Sequence, residues 1–295
     1  LALTAGGVAA VAFVAAALRM AGRRTSLRDD LRDALENGEL AVHYQPVIEL
    51  GTGAVVGVES LLRWRHPVRG LLLPAAFLDE AAANGMLAEL GRRTLGRVCA
   101  DFGRDGDEIC SSLTVAVNLS TSELIDERVV DRVADALRSG RLAPGRLTIE
   151  ITEDAAVDDT IRRTIDRLRE LGVDLSIDDF GTGNSSLRQL GAYPASTLKI
   201  DRSVVERLDQ DERAQTITRA ILGLARNLGL RTVAEGVETE AQERVLVGLG
   251  CDLAQGWRYA KAMPYDELVR YVAAHPARRA TAAEQRRRAD ASGIS

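Results

Sequence analysis

Short apolar runs rich in Val, Ile and Leu alternate with longer stretches of helical spacing along most of the chain. Eight runs have the composition of strands, and they cover residues 40–48, 54–62, 113–120, 146–152, 173–180, 196–201, 230–236 and 251–257. The stretches with apolar residues three and four positions apart cover residues 121–139, 156–171, 211–228 and 239–249. Strands that alternate with helices are typical of repeated βα units. The pattern therefore predicts an α/β fold.

The first two runs are separated only by Glu49 to Gly53, and both Gly51 and Gly53 fall in that turn. So short a connection suits an antiparallel hairpin, whereas a parallel crossover needs a dozen residues or more. The first strand is therefore expected to run antiparallel to its neighbour.

Two α/β architectures use this alternation, the doubly wound open sheet and the eight-stranded barrel. The open sheet usually carries a glycine fingerprint at its first strand-to-helix turn. The nearest string here, Gly181-Thr182-Gly183-Asn184-Ser185, lacks the third glycine, and no GxxxxGK sequence occurs. One barrel of about 250 residues would occupy nearly everything between the two chain ends. We therefore predict a modified TIM (β/α)8 barrel with an antiparallel first strand.

The chain opens with a segment, residues 1–18, that contains no charge. As a helix it would span about 27 Å, close to the roughly 30 Å hydrocarbon core of a bilayer. The basic flank expected on the cytoplasmic side follows as Arg19, Arg23, Arg24, Arg28 and Arg32. A signal-peptide core and a buried Ala-rich helix are the alternatives, but the segment lacks a basic n-region and is long for such a core. A transmembrane helix is the favoured interpretation.

These patterns divide the chain into four parts. We expect a transmembrane helix at residues 1–18, a basic juxtamembrane linker at 19–35, one globular domain at 36–276 and a tail at 277–295. The tail combines Arg runs with Ala and has no apolar period, so it is expected to be disordered.

Composition excludes several classes of protein. The formal charge of -5 and the pI near 5.5 argue against a binder of DNA or RNA polymers, which leaves a basic footprint. Cys99, Cys110 and Cys251 are far apart and form no CxxC pair, so neither a disulfide scaffold nor a zinc site is indicated.

Polar residues recur at or near the ends of successive apolar runs. They are Asn118, Glu150, Asp178, Asp179, Lys199, Glu235 and Gln255, and Glu59 adds a further acid from the second run. In a parallel barrel the carboxyl ends of the strands meet on one face, so these residues are expected to surround one pocket. One acid at a strand end is often only a helix cap. That interpretation does not explain the whole set.

Several carboxylates in one pocket repel one another unless cations neutralise them. Oxygen ligands with an added Asn amide suit Mg²⁺ or Mn²⁺ and not Zn²⁺, and the chain's histidines, His43, His66 and His275, lie away from these strand ends. The adjacent acids Asp178 and Asp179 are a natural place for two ions. Two such ions would support in-line displacement at a phosphoryl group.

Lysine usage singles out one residue of this set. Only Lys199 and Lys261 are Lys, although the chain has 38 basic residues of the Lys and Arg type. A compact ammonium kept at a strand end suits a hydrogen bond to a water molecule or a phosphate oxygen.

A series of motifs in residues 36–264 resembles the EAL domain, a bacterial phosphodiesterase that linearises cyclic di-GMP. The motifs are Tyr44-Gln45-Pro46, Gly57-Val58-Glu59-Ser60-Leu61-Leu62-Arg63-Trp64, His66-Pro67, Val117-Asn118-Leu119-Ser120, Glu150-Ile151-Thr152-Glu153, Asp178-Asp179-Phe180-Gly181-Thr182-Gly183, Leu198-Lys199-Ile200-Asp201, Ala234-Glu235-Gly236-Val237-Glu238-Thr239 and Gln255-Gly256. The signature triplet departs from the family, because Ser60 stands where Ala is usual. Strand alternation points residue 60 away from Glu59, so the ligand should survive.

The resemblance implies a role for each matching residue. For the first ion it implies the ligands Glu59, Asn118, Glu150 and Asp178, and for the second ion Asp178 and Asp179. It also implies that Glu235 completes the metal and water shell and that Lys199 orients the attacking water. The implied substrate contacts are Gln45, Arg63, Asp201 and Gln255. Glu153 and the loop with Phe180, Gly181, Thr182 and Gly183 resemble a family loop that couples metal binding to dimerisation, so a homodimer is expected.

Two functional hypotheses follow from the resemblance. The first is an enzyme that hydrolyses cyclic di-GMP to linear pGpG with Mg²⁺ or Mn²⁺. The second is a catalytically silent cyclic di-GMP receptor, which missing acids would favour, and none is missing. A third interpretation keeps the barrel and the metals but changes the phosphoester. With the N-terminal helix, the expected location is the bacterial inner membrane, with the catalytic domain in the cytoplasm.

Overall fold

The computed structural model describes residues 26–103, 109–140, 142–152, 158–182 and 187–274. The predicted transmembrane helix, the predicted tail, Glu153 and Gly183 lie outside the described residues. Those assignments stay predictions.

Eight of the described strands coincide with the eight apolar runs, and a ninth is added. The strands are β1 Leu40–Glu49, β2 Val55–His66, β3 Gly70–Leu72, β4 Thr114–Asn118, β5 Leu147–Thr152, β6 Asp174–Phe180, β7 Thr197–Ile200, β8 Arg231–Ala234 and β9 Leu253–Ala254. The extra strand, β3, forms a hairpin with the end of β2. It lies at the margin of the sheet and takes no part in closing it.

The sheet closes into a barrel in the order β1-β9-β8-β7-β6-β5-β4-β2, because β1 also pairs with β2. Strands β2 and β4 to β9 run parallel to one another, while β1 is antiparallel to both β2 and β9. Strand β9 is short, and it meets β1 only at the pairs Ile48 with Ala254 and Glu49 with Leu253. The prediction of an α/β barrel with an antiparallel first strand is confirmed.

Helices connect most of the strands and cover the outside of the barrel. The described α-helices are Leu27–Asn37, Leu78–Ala83, Leu87–Phe102, Thr121–Ile125, Arg128–Gly140, Asp159–Glu170, Leu187–Ala192, Arg202–Val205, Glu212–Asn227, Glu240–Leu249 and Tyr265–Ala274, with 3-10 turns at Pro74–Ala76 and Pro144–Arg146. None of the helices in these described ranges combines the length and apolarity that a membrane crossing requires.

One predicted helix is divided in two. The sequence pattern predicted a helix over 121–139, but the first segment ends at Ile125 and the second begins at Arg128. Asp126 is extended at this point, and its carboxylate accepts a hydrogen bond from the backbone N–H of Arg128 at 3.2 Å. A local side-chain contact of this kind competes with helix continuation.

The helix Leu27–Asn37 begins inside the stretch that the sequence assigned to the linker. Ser26 caps it by accepting from the N–H of Asp29, and Gly38 ends it with a φ of 70°. Its Leu31 is fully buried in a cluster with Trp64 and Phe77, and burial of such a side chain contributes about 2 kcal/mol. The helix is therefore an integral part of the packed domain.

Arg146 directly precedes β5 and connects segments at the amino ends of the barrel strands. Its guanidinium donates hydrogen bonds to three backbone carbonyls, those of Leu113 at 3.1 Å, Phe102 at 3.0 Å and Cys110 at 2.7 Å. These carbonyls belong to the end of a helix and to the segment that enters β4. One side chain thus gives three backbone carbonyls a charged donor, and that of Cys110 also accepts from the N–H of Leu113 at 3.1 Å.

We expect Arg146→Met to lower the free energy of unfolding by about 2–4 kcal/mol, because three carbonyls lose a charged donor. Chemical denaturation of the two proteins measures this difference. Arg138→Met is the matched control, since Arg138 forms an exposed ion pair with Asp135 and is expected to change stability by less than about 0.5 kcal/mol. Equal losses for the two variants would contradict the assignment.

Candidate active site

The predicted polar residues converge at the carboxyl ends of the barrel strands. Glu59, Glu150, Asp178 and Lys199 lie on β2, β5, β6 and β7, Asn118 ends β4, and Glu235 and Gln255 directly follow β8 and β9. The register pairs Asn118 directly with Glu150, whereas Asp178 pairs with Thr152, two residues beyond Glu150 on β5. The barrel thus brings together residues that are far apart in sequence.

The Lys199 ammonium lies at the centre of this group. Its Nζ is 2.6 Å from Glu235 Oε1, 3.0 Å from Asp178 Oδ1 and 3.1 Å from Glu150 Oε1. Glu59 Oε2 lies slightly farther away, at 3.7 Å. We call Glu59, Glu150, Asp178, Glu235 and Lys199 the acid ring.

Two amide side chains hold Glu59 in place. Asn118 donates from Nδ2 to Glu59 Oε1 at 3.1 Å, and Gln255 donates from Nε2 to Glu59 Oε2. Gln255 also donates to Gln45 Oε1 at 3.3 Å, and Gln45 in turn donates to the carbonyl of Ala260 at 3.1 Å. The orientation of the carboxylate is therefore fixed from both sides of β2, by Asn118 of the neighbouring β4 and, across β1, by Gln255 after β9.

Burial shifts the pKa of two carboxyl groups of the ring, those of Glu150 and Glu235, upward. It raises the pKa of Glu150 well above its ordinary value and that of Glu235 to about 8, although the Lys199 charge lowers both. Burial alone would lower the pKa of Lys199, but the surrounding carboxylates raise it well above the usual value. The ammonium therefore stays charged at neutral pH.

The donor set fits hard divalent cations. Four carboxylates surround one ammonium, so the ring carries an excess of negative charge when its acids are ionised. Glu150 Oε2 is buried and has no hydrogen-bond partner among the described residues. A buried carboxylate oxygen without a partner destabilises the folded protein, and a bound cation would remove that cost. The ring therefore offers a site for a cation.

Two ligand groups share one acid. Carboxylate oxygens of Glu59, Glu150 and Asp178 lie within 4.8 Å of one another, and so do those of Asp178, Asp179 and Glu235. All are oxygen donors, the preference of Mg²⁺ and Mn²⁺. The geometry thus provides two adjacent places for ions with Asp178 between them.

The backbone turns sharply directly after Asp178. Asp179 has a φ of 58°, a left-handed conformation that Asp tolerates better than most residues, and its N–H donates to Asp178 Oδ1 at 2.9 Å. Gly181 also has a positive φ, and a Cβ there would lie 2.8 Å from Val204 Cγ2. Phe180 is buried in the core and Thr182 is exposed. Asp178 takes part in both ligand groups, whereas Asp179 takes part only in the second.

Each of the predicted substrate residues already has a hydrogen bond within the protein. Arg63 is buried on β2, and its guanidinium donates to the carbonyl of Leu62 at 2.8 Å. Asp201 caps the helix Arg202–Val205 by accepting from the N–H of Ser203 at 2.9 Å. Gln255 contacts the predicted metal ligand Glu59. Their contacts with a substrate stay predictions.

Ser60 makes the contact expected from strand alternation. Its hydroxyl donates to the carbonyl of Ala116 on β4 at 2.7 Å, whereas Glu59 reaches Asn118, Lys199 and Gln255. The departure from the family triplet therefore leaves the position of Glu59 in the ring intact.

Sequence reasoning missed a cavity of about 320 Å³ beside the ring. It lies between β2, β4 and the helices that follow β3, and its lining includes Leu61, Leu78, Leu87 and Asn118. The apolar members come from separate segments whose sequence pattern is that of ordinary core residues. Only the fold shows that they leave a space next to Asn118.

Known proteins are similar to this chain over most of its length. The family model for the EAL domain matches residues 28–262. The bifunctional diguanylate cyclase/cyclic di-GMP phosphodiesterase MucR of Pseudomonas aeruginosa is 41% identical over 255 residues, which are 86% of this chain and 37% of that protein. The cyclic di-GMP phosphodiesterase NbdA of the same organism is 42% identical over 258 residues, 86% of this chain and 33% of that protein. The chain thus spans about a third of the length of these relatives.

Solved structures share the barrel. The PaMucR phosphodiesterase in complex with c-di-GMP is similar with a TM-score of 0.78 at 42% identity, covering 82% of this chain and 99% of that one. The EAL enzyme Bd1971 with cAMP and cyclic-di-GMP bound has a TM-score of 0.79 at 27% identity, covering 86% and 71% of the two chains. The described barrel is therefore similar to solved structures that hold cyclic di-GMP.

Proposed function

The chain belongs to the EAL domain family, and on this premise we propose that its barrel hydrolyses cyclic di-GMP to linear pGpG with Mg²⁺ or Mn²⁺. The observation that carries the proposal is the acid ring around Lys199, in which the barrel brings together Glu59 from β2, Glu150 from β5, Asp178 from β6 and Glu235 from the end of β8. The names of the relatives MucR and NbdA support the substrate.

The two ligand groups would hold two ions. Glu59, Asn118, Glu150 and Asp178 would bind one ion, and Asp178, Asp179 and Glu235 would bind the other. When bound, such ions activate water and neutralise charge that develops on the phosphoryl oxygens.

The chain's own residues position the reaction. Lys199 offers ammonium hydrogens at the centre of the ring, where they can stabilise negative charge that develops on phosphate. In the reaction the oxygen of water bonds to phosphorus, the P–O3′ bond breaks, and the 3′ oxygen takes up a proton. Burial raises the pKa of Glu235 to about 8, and a bound cation would favour its ionised form, so that its carboxylate could serve as a ligand.

The surroundings of the ring suit a nucleotide. Arg63 presents a buried guanidinium on the strand that carries Glu59, and a guanidinium is well matched to phosphate oxygens. The cavity beside Asn118 is suited to a planar base, since leucines form one part of its lining and polar side chains another. Gln45 in the middle of β1 and Asp201 directly after β7 would contact the rest of the dinucleotide.

We also propose a membrane location and a homodimer. The uncharged segment 1–18 and the arginines behind it support attachment to the bacterial inner membrane with the barrel in the cytoplasm. Family resemblance of the loop after β6 supports a homodimer. Membrane fractionation and light scattering test these two points separately.

A turnover assay tests the activity. We expect the chain, incubated with cyclic di-GMP and Mg²⁺ or Mn²⁺, to form pGpG that chromatography detects, and to form none when EDTA removes the metal. Calorimetry with cyclic di-GMP on the same protein separates turnover from binding. Binding without pGpG under either metal would replace the enzyme by a cyclic di-GMP receptor.

A further inference from the structure

Large apolar side chains are exposed along the hairpin that β2 and β3 form. Val68 at its turn is 88% exposed, and Leu71 and Leu73 are 50% and 56% exposed. The described part of the chain exposes eight large apolar side chains, and these three fall within one stretch of six residues. We call residues 65–73 the apolar hairpin.

Strand alternation explains why this surface faces outward. In the pairing of β2 with β3, Leu72 lies opposite Trp64 and Leu71 lies opposite Arg65. Trp64 is buried, and Leu72 packs against the same core cluster. Their neighbours Arg65 and Leu71 point to the opposite side and are exposed. The backbone is still extended at Leu73, so this side chain shares the outer face with Leu71.

The apolar hairpin also carries positive charge. Arg65 and Arg69 are exposed, and residues 65–73 contain no acid. Neither arginine forms an ion pair with another described residue. The whole chain has a formal charge of -5, so this basic surface is a local feature. Apolar side chains flanked by arginines are typical of surfaces that bind membranes with anionic lipids.

The hairpin extends from the face of the barrel that carries the acid ring. Strand β2 pairs with the parallel β4 only as far as Ser60, and it continues for six more residues to His66. From Glu59 to His66 an extended strand covers about 23 Å. The turn of the hairpin therefore lies beyond the carboxyl ends of the barrel strands.

The N-terminal helix enters the domain beside this hairpin. Because β1 is antiparallel, its start pairs with the end of β2. Asp30, in the first turn of the helix Leu27–Asn37, lies 3.4 Å from His66 Nε2. The other ring nitrogen, His66 Nδ1, accepts a hydrogen bond from the N–H of Val68 at 3.1 Å. One imidazole thus connects the start of the helix to the turn of the hairpin.

The length of chain before this helix limits how far the hairpin can lie from a membrane. The predicted transmembrane segment ends at residue 18, and Ser26 caps the helix eight positions later. Eight residues cover at most about 29 Å, even when fully extended. A barrel attached by so short a connection meets the lipid surface near the start of the helix, which is also where the apolar hairpin lies.

We propose that the apolar hairpin docks on the membrane surface, with Val68, Leu71 and Leu73 in the interface and Arg65 and Arg69 at the phosphates of anionic lipids. This inference rests on the proposed membrane location and not on the proposed hydrolysis. A second copy of the chain is the competing occupant, because β3 lies at the margin of the sheet. Strand β3 has only three residues, and the arginines of two copies would repel each other, so the lipid surface is favoured.

A fluorescent label on the turn of the hairpin tests the docking. The native cysteines are buried, so an exposed cysteine that is introduced can be labelled selectively. The full chain with Val68→Cys and an environment-sensitive NBD label is prepared with vesicles of phosphatidylcholine and phosphatidylglycerol. Its emission should shift to the blue and rise at least about twofold. Val247→Cys, at a half-exposed position on a helix, is the matched control and should show no such change.

Further substitutions separate the apolar and the charged contributions. Leu71→Ser together with Leu73→Ser should abolish the emission change of the label at position 68. Arg69→Met should reduce that change by at least about half. Salt at about 1 M should also reduce it, because the Debye length falls to about 3 Å. Arg244→Met, which breaks an exposed ion pair, is the control for loss of a positive charge, and unfolding midpoints verify that each variant is folded.

Flotation of the vesicles distinguishes the possible failures. A chain that floats with the vesicles but shows no emission change would keep the membrane location and overturn the docking. A chain that stays in the aqueous fraction would overturn both, and formation of pGpG reports separately on the proposed hydrolysis. An emission change that grows with protein concentration in the absence of vesicles would overturn the lipid assignment in favour of a second copy.

Discussion

Replacing Glu59 by Gln is expected to lower kcat for cyclic di-GMP hydrolysis at least about a thousandfold. The substitution keeps the shape of the side chain but removes its charge from the shared ligand group with Glu150 and Asp178. It also turns an amide NH2 toward either Asn118 or Gln255, both of which donate to Glu59. Two donors then face each other where a carboxylate accepted both.

Fold and metal content separate this effect from unfolding. The variant should unfold at a denaturant concentration similar to that of the wild type, because it removes one of several mutually repelling buried carboxylates. Calorimetry with Mn²⁺ should show one strong site fewer. Glu240→Gln, at an exposed position of a helix, is the control and should keep full activity. More than a tenth of wild-type kcat in Glu59→Gln would contradict a ligand role for Glu59.

Replacing Lys199 by Met should affect both stability and turnover. Without its ammonium, Glu150, Asp178 and Glu235 lose the charge that lies within 3.1 Å of each. Removing one partner of a buried ion pair typically costs about 3–5 kcal/mol. We therefore expect the free energy of unfolding to fall by about that amount in metal-free buffer, and kcat to fall by about 10²–10⁴ in the presence of metal.

The metal dependence of this loss is the specific test. Divalent cations replace part of the missing positive charge, so Mn²⁺ should raise the unfolding midpoint of Lys199→Met more than that of the wild type. Arg92→Met, which breaks an exposed pair with Glu89, should respond to Mn²⁺ as the wild type does. A Lys199→Met protein with wild-type stability in metal-free buffer would show that the ammonium does not hold the ring together.

The sequence predicted the barrel well because its signal is local. Each of the eight apolar runs became a strand, and the short turn at Gly51 and Gly53 identified the antiparallel pair. The pattern missed β3, since a strand of three residues has no detectable period. It also treated the helix at Leu27 as linker, because its charged residues concealed the apolar spacing of Leu27, Leu31 and Ala34.

The sequence could predict which residues form the site but not which of them contact one another. Strand ends identified the acids, yet only the folded barrel shows that Lys199 bridges Glu150, Asp178 and Glu235. Likewise, the resemblance implied a substrate contact for Gln255, and the fold shows in addition that its amide donates to Glu59. These contacts join residues far apart in sequence, and their distances depend on how strands tilt and pack.

The shortness of β9 gives the barrel a thin seam. The ring of strands is completed there by only two residue pairs with β1, and an unclosed sheet would expose two unpaired edges. The hydrogen bonds from Gln255 to Glu59 and from Gln45 to Ala260 cross this same seam and help to hold it closed. A chain in which β9 does not pair with β1 would lack the contact from Gln255 that orients Glu59. Closure of the barrel and assembly of the acid ring therefore depend on each other.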